Sequence, residues 1–245
     1  MSFSFDFLTI GSPIYALTML IGIAIGAVFW ICKSQDDHRV AFIYLAALLG
    51  AFLGAKLAYL VSEGWLHLED DQRWLHWLAG KSVTGALLGG WIGVEGCKKA
   101  VGYTKVTGDH YALLVPLGLI VGRVGCLAHG CCPGVPCELG AFTLHDAAGL
   151  ARWPAVPVEM IFNLLCFLAV LALRRGKFLA GQHFHLYLIA YGLFRFGHEF
   201  LRATPKPWGG VSGYQVIALL LTTAGLLAFC IRSKHRGRMD KVFAG

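Results

Sequence analysis

The sequence predicts an all-α, polytopic membrane protein with about seven transmembrane helices. Hydrophobic residues make up 57% of its 245 residues and charged residues only 14%, and the mean hydropathy is +0.63. Soluble domains carry about 25% charged residues, so this composition is typical of a chain embedded in lipid. Apolar stretches recur to the end of the chain and leave little sequence for a soluble domain. We therefore expect a single integral membrane domain over residues 1–245.

Seven apolar stretches account for the predicted helices. Each has about 18–23 residues, close to the roughly 20 that a helix needs to cross the hydrocarbon core. The third stretch is the least apolar, but its glycines, such as Gly85 and Gly89, suit close packing between helices. The stretches cover residues 12–32, 40–62, 80–97, 110–129, 155–173, 183–201 and 211–231.

The basic residues predict the orientation of the chain. Seven spans put thirteen Lys and Arg residues in the segments on one side and five on the other. The positive-inside rule then places the N-terminus outside and the C-terminus in the cytoplasm. Residues 1–13 lack the basic region of a cleavable signal peptide, so we expect the first span to be retained. Because topology accounts for the net charge of +7, nucleic-acid binding is not expected.

Two segments between spans are expected on the outer side. Residues 63–79 begin with EGWLHLEDDQRWLHW, in which Trp and charged residues alternate as in an interfacial amphipathic stretch. Residues 130–154 form the longest loop and contain Pro133, Pro136 and several glycines. Loops of this length are often functional, so we expect this one to cover a site.

Four ionisable side chains inside apolar spans predict that site: Lys56, Arg123, Arg195 and Glu199. Each such charge costs about 2.5–3.5 kcal/mol on insertion scales. The predicted span directions and lengths place all four in the outer half of the membrane. Arg195 and Glu199 are spaced i, i+4, with Arg202 one turn further, and a purely structural pair is one interpretation. Because that pair leaves Lys56 and Arg123 without partners, we favour an anionic ligand such as a phospholipid phosphate.

Several polar motifs resemble those of the bacterial prolipoprotein diacylglyceryl transferases. They are VPLGLIVGRVGCLAHGCCPG, YLIAYGLFRFGHEFLRATP, ARWPAVPVEMIFN and GAKLAYL, together with an early tyrosine in the first span. The resemblance covers most of the chain. The positions that match are Arg123, Gly125, Gly130 and Gly134; Tyr191, Arg195, Glu199 and Arg202; Arg152, Pro154 and Glu159; Lys56; and Tyr15.

The resemblance implies a seven-helix enzyme of the bacterial inner membrane, with its site facing the outer half. Family members move a diacylglyceryl group from phosphatidylglycerol to the lipobox cysteine of a preprolipoprotein and release glycerol phosphate, without a cofactor or metal. It implies that Arg123 and Arg195 hold the lipid phosphate, that Glu199 orients Arg195, and that Glu159 supports them. The expected catalytic groups are Arg123, Arg195, Glu199 and His129, and the expected substrate-binding groups are Tyr15, Lys56, Thr84, Cys126, Cys131, Gly134, Glu159 and Arg202.

The departures from the family pattern concern the acceptor. Thr84 stands where the family has a third-span histidine proposed to activate the thiol, and threonine has no useful pKa for that task. Cys126 and His129 replace two asparagines, Cys131 a glutamate and Val156 a glutamine. His129 either restores the missing base or caps a helix end. The phosphate-binding half is therefore retained, while the half that would activate and recognise a peptide is changed.

The cysteines near Arg123 leave several interpretations open. Cys137 with Cys131 or Cys132 is the expected disulfide in an oxidising compartment, and a remaining thiol near Arg123 is a nucleophile or a polar lining. The segment CLAHGCC lacks the paired C-x2–4-C spacing of structural zinc sites, so no metal is expected. The other four cysteines are expected to be small core residues: Cys32, Cys97, Cys166 and Cys230.

Three other functions stay open beside lipoprotein modification. The first is the same donor chemistry with a different acceptor. The second is non-catalytic transport of an anionic lipid or solute, which would need access to the basic pocket from both sides. The third is thiol–disulfide exchange through the CC pair, although a C-x-x-C motif is absent from the sequence.

Overall fold

The computed structural model describes residues 13–243 apart from 139, 141, 142 and 147, and the side chains of residues 14–234 within that range. The expectations about residues 1–12 lie outside the described residues. Within the described part the chain is helical almost throughout. Its α-helices are α1 Pro13–Ser34, α2 Arg39–Ser62, α3 Arg73–Ala79, α4 Val83–Ala100, α5 Gly108–His129, α6 Ala155–Arg175, α7 His183–His198 and α8 Gly213–Phe243.

Short elements join the helices at one end of the bundle. Two 3-10 helices, Gly64–His67 and Glu199–Leu201, follow α2 and α7. The loop between α5 and α6 contains a small antiparallel hairpin, in which strand β1 (Leu144–His145) pairs with strand β2 (Ala151–Arg152). An isolated bridge between Gly134 and Arg202 ties this loop to the segment that follows α7.

In the part of the chain that the structure describes, five helices are long and apolar enough to cross a membrane: α1, α2, α5, α6 and the Gly213–Lys234 part of α8. Large apolar side chains are exposed along α1, α2, α6 and α8, as lipid-facing surfaces require. The prediction of an all-α polytopic membrane protein is therefore confirmed. The other two predicted stretches form α4, which carries Glu95, Lys98 and Lys99, and the 16-residue α7, which carries several ionisable residues.

Glycines bring α2 and α4 into backbone contact. An added Cβ at Gly54 would lie 2.9 Å from the Cα of Gly89 and would collide with the carbonyl oxygen of Gly85. A Cβ at Gly50 would likewise meet the backbone of Gly89. Small residues allow this close approach between apolar helices, where no water drives association. The glycine-rich third stretch thus packs as the sequence predicts.

The central helix of the bundle is α7. Its Tyr187, Leu188 and Tyr191 are essentially inaccessible and pack with Ile43 of α2 and Leu221 of α8 in the main hydrophobic core. Backbone and side-chain contacts place the ends of α2, α5 and α7 and the starts of α4, α6 and α8 at the same end of the bundle. The polar residues singled out in the sequence collect at this end.

Candidate active site

Arg123 occupies the last third of α5 and is buried. The helix lies close to α1 because Gly125 faces Tyr15, where an added Cβ would be 3.1 Å from the Tyr15 Cα. The Arg123 Nη2 donates to Glu159 Oε1 at 2.7 Å. The expectation that Arg123 has no partner is therefore wrong. Glu159 lies 36 residues away on α6, and sequence spacing gives no sign of that contact.

Glu159 is the carboxylate that connects the helices. It is fully buried, accepts a hydrogen bond from the Tyr191 hydroxyl at 2.7 Å, and lies 3.5 Å from Arg195 Nη1 through its second oxygen. Behind it, the Tyr187 hydroxyl donates to Asn163 Oδ1 at 2.8 Å, and Asn163 donates to the Glu159 carbonyl. These contacts fix the carboxylate between two guanidinium groups.

The pair formed by Arg195 and Glu199 is present, with Nη2 and Oε2 2.8 Å apart. Arg202 approaches the same oxygen through Nε at 3.6 Å. The other oxygen of Glu199 accepts hydrogen bonds from the Thr204 hydroxyl at 2.5 Å and the Ser212 hydroxyl at 3.4 Å. Glu199 therefore anchors two arginines to the loop that leads into α8.

We call these five residues, Arg123, Glu159, Arg195, Glu199 and Arg202, the guanidinium cluster. All five are buried, and three cations face two anions, which leaves one positive charge uncompensated. Among the described residues, the atoms of the cluster without a hydrogen-bond partner are four donors, Arg123 Nε, Arg195 Nη1, Arg202 Nε and Arg202 Nη1, and two oxygens, Glu159 Oε2 and Glu199 Oε2. Arg195 Nη1 and Arg202 Nε lie 3.5 and 3.6 Å from those oxygens, in ion pairs without hydrogen-bond geometry. Buried unpaired donors and charges are costly, and a bound monoanion would satisfy both. The cluster can therefore hold a phosphodiester and stabilise charge that develops on a leaving phosphate.

Three thiols lie on the other side of Arg123. Cys126, Cys131 and Cys132 have their Sγ atoms within 4.8 Å of one another, and we call them the thiol cluster. Arg123 Nη1 is 3.7 Å from the sulfurs of Cys126 and Cys132. Cys137 is outside the cluster, its backbone paired with Ala151, and all eight cysteines of the chain are unbridged, so the expected disulfide with Cys131 or Cys132 is not formed.

The chain returns on itself to bring these thiols together. Gly130 ends α5 in the left-handed conformation, with φ of 68°, and Cys132 has a φ of 66°. A positive φ is easy for glycine, but for a residue with a side chain it costs about 1–3 kcal/mol and often marks a functional position. The backbone N–H of Cys131 donates to the Cys126 carbonyl at 3.2 Å and closes the turn.

A small open cleft lies beside the thiol cluster. All three thiol-cluster residues line it, together with Gly134, Arg152 and Trp153 of the loop expected to cover the site. Arg152 fastens that loop, since its Nε donates to Asp146 at 2.6 Å and its Nη1 to the Gly134 carbonyl at 3.2 Å. The hydrogen bond from Arg152 holds the pKa of the Asp146 carboxyl below its usual range.

Gly134 has a steric role in this loop. An added Cβ there would be 2.7 Å from the Trp153 Cβ and would collide with the Trp153 carbonyl. Only glycine therefore lets the two segments of the loop lie side by side beneath Arg202, with which Gly134 forms its bridge.

Lys56 and Thr84 form hydrogen bonds with residues outside the guanidinium cluster. The Lys56 ammonium group donates to the carbonyls of Trp77, Leu78 and Gly80 at 2.8, 2.5 and 3.0 Å. The expectation that this lysine lacks a partner is wrong, because backbone carbonyls at the end of α3 bind it. The Thr84 hydroxyl is buried and lies 2.8 Å from Ser82 Oγ at the start of α4.

Tyr15 and His129 meet where α1 crosses the end of α5. Their ring centroids are 6.1 Å apart, and the Lys81 ammonium lies 5.1 Å over the Tyr15 ring. His129 is the last residue of α5, three residues beyond Cys126. The structure thus gathers the tyrosine and histidine expected at the site near the thiol cluster.

His198 is a site residue that sequence reasoning missed. It is buried at the end of α7, its ring stacks on Phe194 at 4.9 Å, and its Nε2 lies 3.4 Å from Trp153 Nε1. Its position three residues after Arg195 and directly before Glu199 was the available signal. The sequence predicts Cys132 as a possible disulfide partner of Cys137. It does not predict that Cys132 converges with Cys126, because that depends on backbone angles.

Apolar helices around a buried, positively charged cluster define a membrane protein with a site suited to an anionic ligand. Its family follows from comparison with known proteins: the family model for prolipoprotein diacylglyceryl transferase matches residues 3–231. The chain belongs to this family of transferases, as the resemblance predicts.

Individual relatives agree with the family model. A protein of Clostridium perfringens named phosphatidylglycerol–prolipoprotein diacylglyceryl transferase 2 is 26% identical, over 94% of this chain and 95% of its own. Phosphatidylglycerol–prolipoprotein diacylglyceryl transferases of Clostridium tetani and Methylocella silvestris are each 30% identical, over 81% and 89% of this chain and 83% and 89% of their own. No solved structure matches the chain significantly.

Proposed function

We propose that this protein transfers a diacylglyceryl group from phosphatidylglycerol to the lipobox cysteine thiol of a preprolipoprotein and releases glycerol phosphate. The observation that carries the proposal is the guanidinium cluster, with one uncompensated positive charge and buried N–H groups that lack partners. The phosphodiester of phosphatidylglycerol carries one negative charge and several acceptor oxygens, so it matches the cluster in both respects. Membership of the transferase family supports the same substrate.

The proposed setting is the bacterial cytoplasmic membrane, crossed seven times. In this arrangement α4 and α7 are spans in addition to the five long apolar helices. The ionisable residues of α7, His183, His185, Arg195 and His198, are buried in the bundle, and those of α4, Glu95, Lys98 and Lys99, lie in the second half of that helix. The guanidinium cluster lies at the end of the bundle from which α3 and the loop between α5 and α6 project. The distribution of basic residues supports an outer location for that end.

The transfer is a displacement at carbon. The acceptor sulfur attacks the glyceryl carbon that is bonded through oxygen to the phosphate, so an S–C bond forms and a C–O bond breaks. The electron pair of that bond leaves on the phosphate oxygen, where the guanidinium groups of Arg123, Arg195 and Arg202 stabilise the new charge, since each has an N–H without a hydrogen-bond partner. Glu159 and Glu199 hold the guanidinium groups in place and keep the cluster from carrying three uncompensated charges.

The acceptor thiol has to lose its proton before or during the attack. The Thr84 hydroxyl shares a hydrogen bond with Ser82 Oγ, and threonine has no suitable pKa for this step. His129 contacts the Tyr15 ring and is three residues beyond Cys126 at the end of α5, and it is the imidazole that we assign to accept the proton. The acceptor side is therefore built from α1 and the end of α5.

The test is a transfer assay with the purified chain, phosphatidylglycerol labelled in its diacylglyceryl part, and a lipobox peptide. We expect label on the peptide, and a loss of about 10²–10³-fold in Arg123→Ala, the range for removing one preorganised donor. Arg123→Lys keeps the charge but loses the planar fork, so it should also be impaired. Arg39→Ala is the matched control, because that exposed arginine pairs with Asp37 at the other end of the bundle.

Each outcome of the assay decides a different part of the proposal. Cleavage of the lipid with an unlabelled peptide would mean the same donor chemistry with another acceptor. Full transfer by Arg123→Ala and Arg123→Lys would remove the guanidinium cluster from the mechanism. Absence of both lipid cleavage and transfer in the unaltered chain would refute the proposed activity.

A further inference from the structure

We propose that the thiol cluster, Cys126, Cys131 and Cys132, binds a zinc-type thiophilic divalent cation whose fourth coordination position takes the acceptor thiol. The first part is a new metal site and stands on the geometry of the cluster. The second part rests on the proposed function and deepens it. The proposal also replaces the expectation from sequence spacing that the protein holds no metal.

The sulfur positions suit tetrahedral zinc. Zinc–sulfur bonds of about 2.3 Å in a tetrahedron place the sulfurs about 3.8 Å apart. The three Sγ atoms already lie within 4.8 Å of one another, so a shift of about one ångström at most completes the site. The spacing rule does not anticipate this convergence, because the last turn of α5, Gly130 and Cys132 together reverse the chain and bring a C-x4-C-C segment together without two C-x2–4-C pairs.

Arg123 places a positive charge beside the sulfurs, since its Nη1 lies 3.7 Å from those of Cys126 and Cys132. A divalent cation with three thiolates carries one net negative charge, which offsets the single net positive charge of the guanidinium cluster. In the metal-loaded form the phosphate is therefore held by N–H groups of the cluster that lack partners and not by a net charge of the cluster. Hydrogen bonds and charge from outside the ligand set are what orient and stabilise ligands in metal sites. Cys126 is buried, and the left-handed backbone of Cys132 turns its thiol toward the other two.

The site has three protein ligands and an open position. Among the described residues, the group contains no fourth His, Cys, Asp or Glu ligand atom. Three ligands with a free position are the pattern of catalytic zinc, whereas structural zinc has four. All three cysteines line the cleft, so a thiol that enters the cleft can reach the open position.

A thiol that coordinates zinc is deprotonated, which supplies the activation that Thr84 cannot. The acceptor S–H loses its proton to His129 or solvent when the sulfur binds. The bound thiolate then attacks the glyceryl carbon, and the C–O electron pair leaves with the phosphate held by the guanidinium cluster. The proton lost by the thiol is finally taken up by the glycerol phosphate that leaves, so protons and charge balance. The metal keeps its oxidation state. Arg123 is the member of the guanidinium cluster that contacts the thiol cluster, since its Nη1 faces the sulfurs and its Nε has no partner.

Metal binding is tested first, without any activity measurement. The full chain is purified in detergent without chelators and its zinc content is measured, and the metal-free form is then titrated with Zn²⁺ and with Co²⁺. We expect about one zinc per chain and a sulfur-to-cobalt charge-transfer band, with affinity reduced about 10–100-fold or more in Cys126→Ser and Cys132→Ser. Cys137→Ser is the matched control and should bind zinc as the unaltered chain does, because Cys137 is a nearby loop cysteine outside the cluster.

Three results would overturn the metal site. They are no zinc and no cobalt band in the unaltered chain, equal zinc affinity in Cys132→Ser, and a disulfide within the cluster detected by mass spectrometry of alkylated protein. The cobalt titration of the unaltered chain keeps the test decisive even where a cysteine variant does not fold.

The role of the metal is tested separately, in the peptide-transfer assay with metal-free chain. We expect transfer to be lost without zinc and restored by added Zn²⁺, while binding of phosphatidylglycerol is unchanged. Full transfer by the metal-free chain would overturn the catalytic role and leave the transferase intact. Zinc binding without transfer in either form would leave the site standing and refute the proposed function.

Discussion

The two sides of Arg123 are built in different ways. The carboxylate side takes its residues from α6, α7 and the segment after α7, and each carboxylate contacts two arginines. The thiol side comes from one short segment, residues 126–132, and depends on a left-handed turn. In the resemblance described above, the carboxylate side keeps the family pattern and the thiol side departs from it. Under the proposed function, the donor half of the site is therefore held by several helices, and the acceptor half depends on a few local residues.

The largest expected effect follows from breaking the carboxylate side. Glu159→Gln keeps the volume of the side chain but leaves Arg123 and Arg195 with one carboxylate fewer in a buried place. Breaking a buried ion pair in this way costs about 3–5 kcal/mol. We expect a clearly lowered melting temperature in detergent. Glu138→Gln, at an exposed loop position, is the control and should melt like the unaltered chain.

An unchanged melting temperature in Glu159→Gln would contradict this account of the carboxylate side. It would mean that the guanidinium groups do not depend on Glu159 and that the helices α5, α6 and α7 are held together by apolar packing alone.

The sequence predicts only part of how the two sides of Arg123 are built. Apolar stretches predict the helices, and the i, i+4 spacing predicts the pair of Arg195 and Glu199, because both depend on local periodicity. The contact of Arg123 with Glu159 spans 36 residues and depends on how α5 packs on α6. The three carbonyls around Lys56 depend in the same way on how α3 packs on α2.

A smaller effect is expected on the thiol side, with the opposite sign. Cys132 has a φ of 66°, which glycine adopts without strain. We expect metal-free Cys132→Gly to be more stable than metal-free Cys132→Ser by about 1 kcal/mol, since both lack the thiol and only one keeps the strain. Chemical or thermal unfolding of the two variants in the same detergent measures the difference.

Equal stabilities of the Gly and Ser variants would mean that the turn at Cys132 carries no strain. The thiol side would then not differ from the carboxylate side by carrying backbone strain.

The smallest effect is expected at Thr84. Thr84→Ala removes one buried hydroxyl contact, while Ser82 Oγ still accepts from the Gly85 N–H at 3.4 Å. We expect a stability loss of about 0.5 kcal/mol, at the lower end for one hydrogen bond because Ser82 keeps its other partner. Loss of a general base would slow transfer by about 10²–10⁴-fold. If Thr84→Ala slowed transfer by that factor while Thr84→Ser did not, the Thr84 hydroxyl at the start of α4 would be the group that activates the acceptor thiol.

The central claim is that the guanidinium cluster holds the lipid phosphate, and an experimental structure of the chain with bound phosphatidylglycerol tests it most directly. The account predicts the phosphate within hydrogen-bond distance of Arg123 Nε and of Arg202, with Glu159 and Glu199 still paired to their arginines. A phosphate bound at Lys56 or elsewhere, with those N–H groups still without partners, would contradict it.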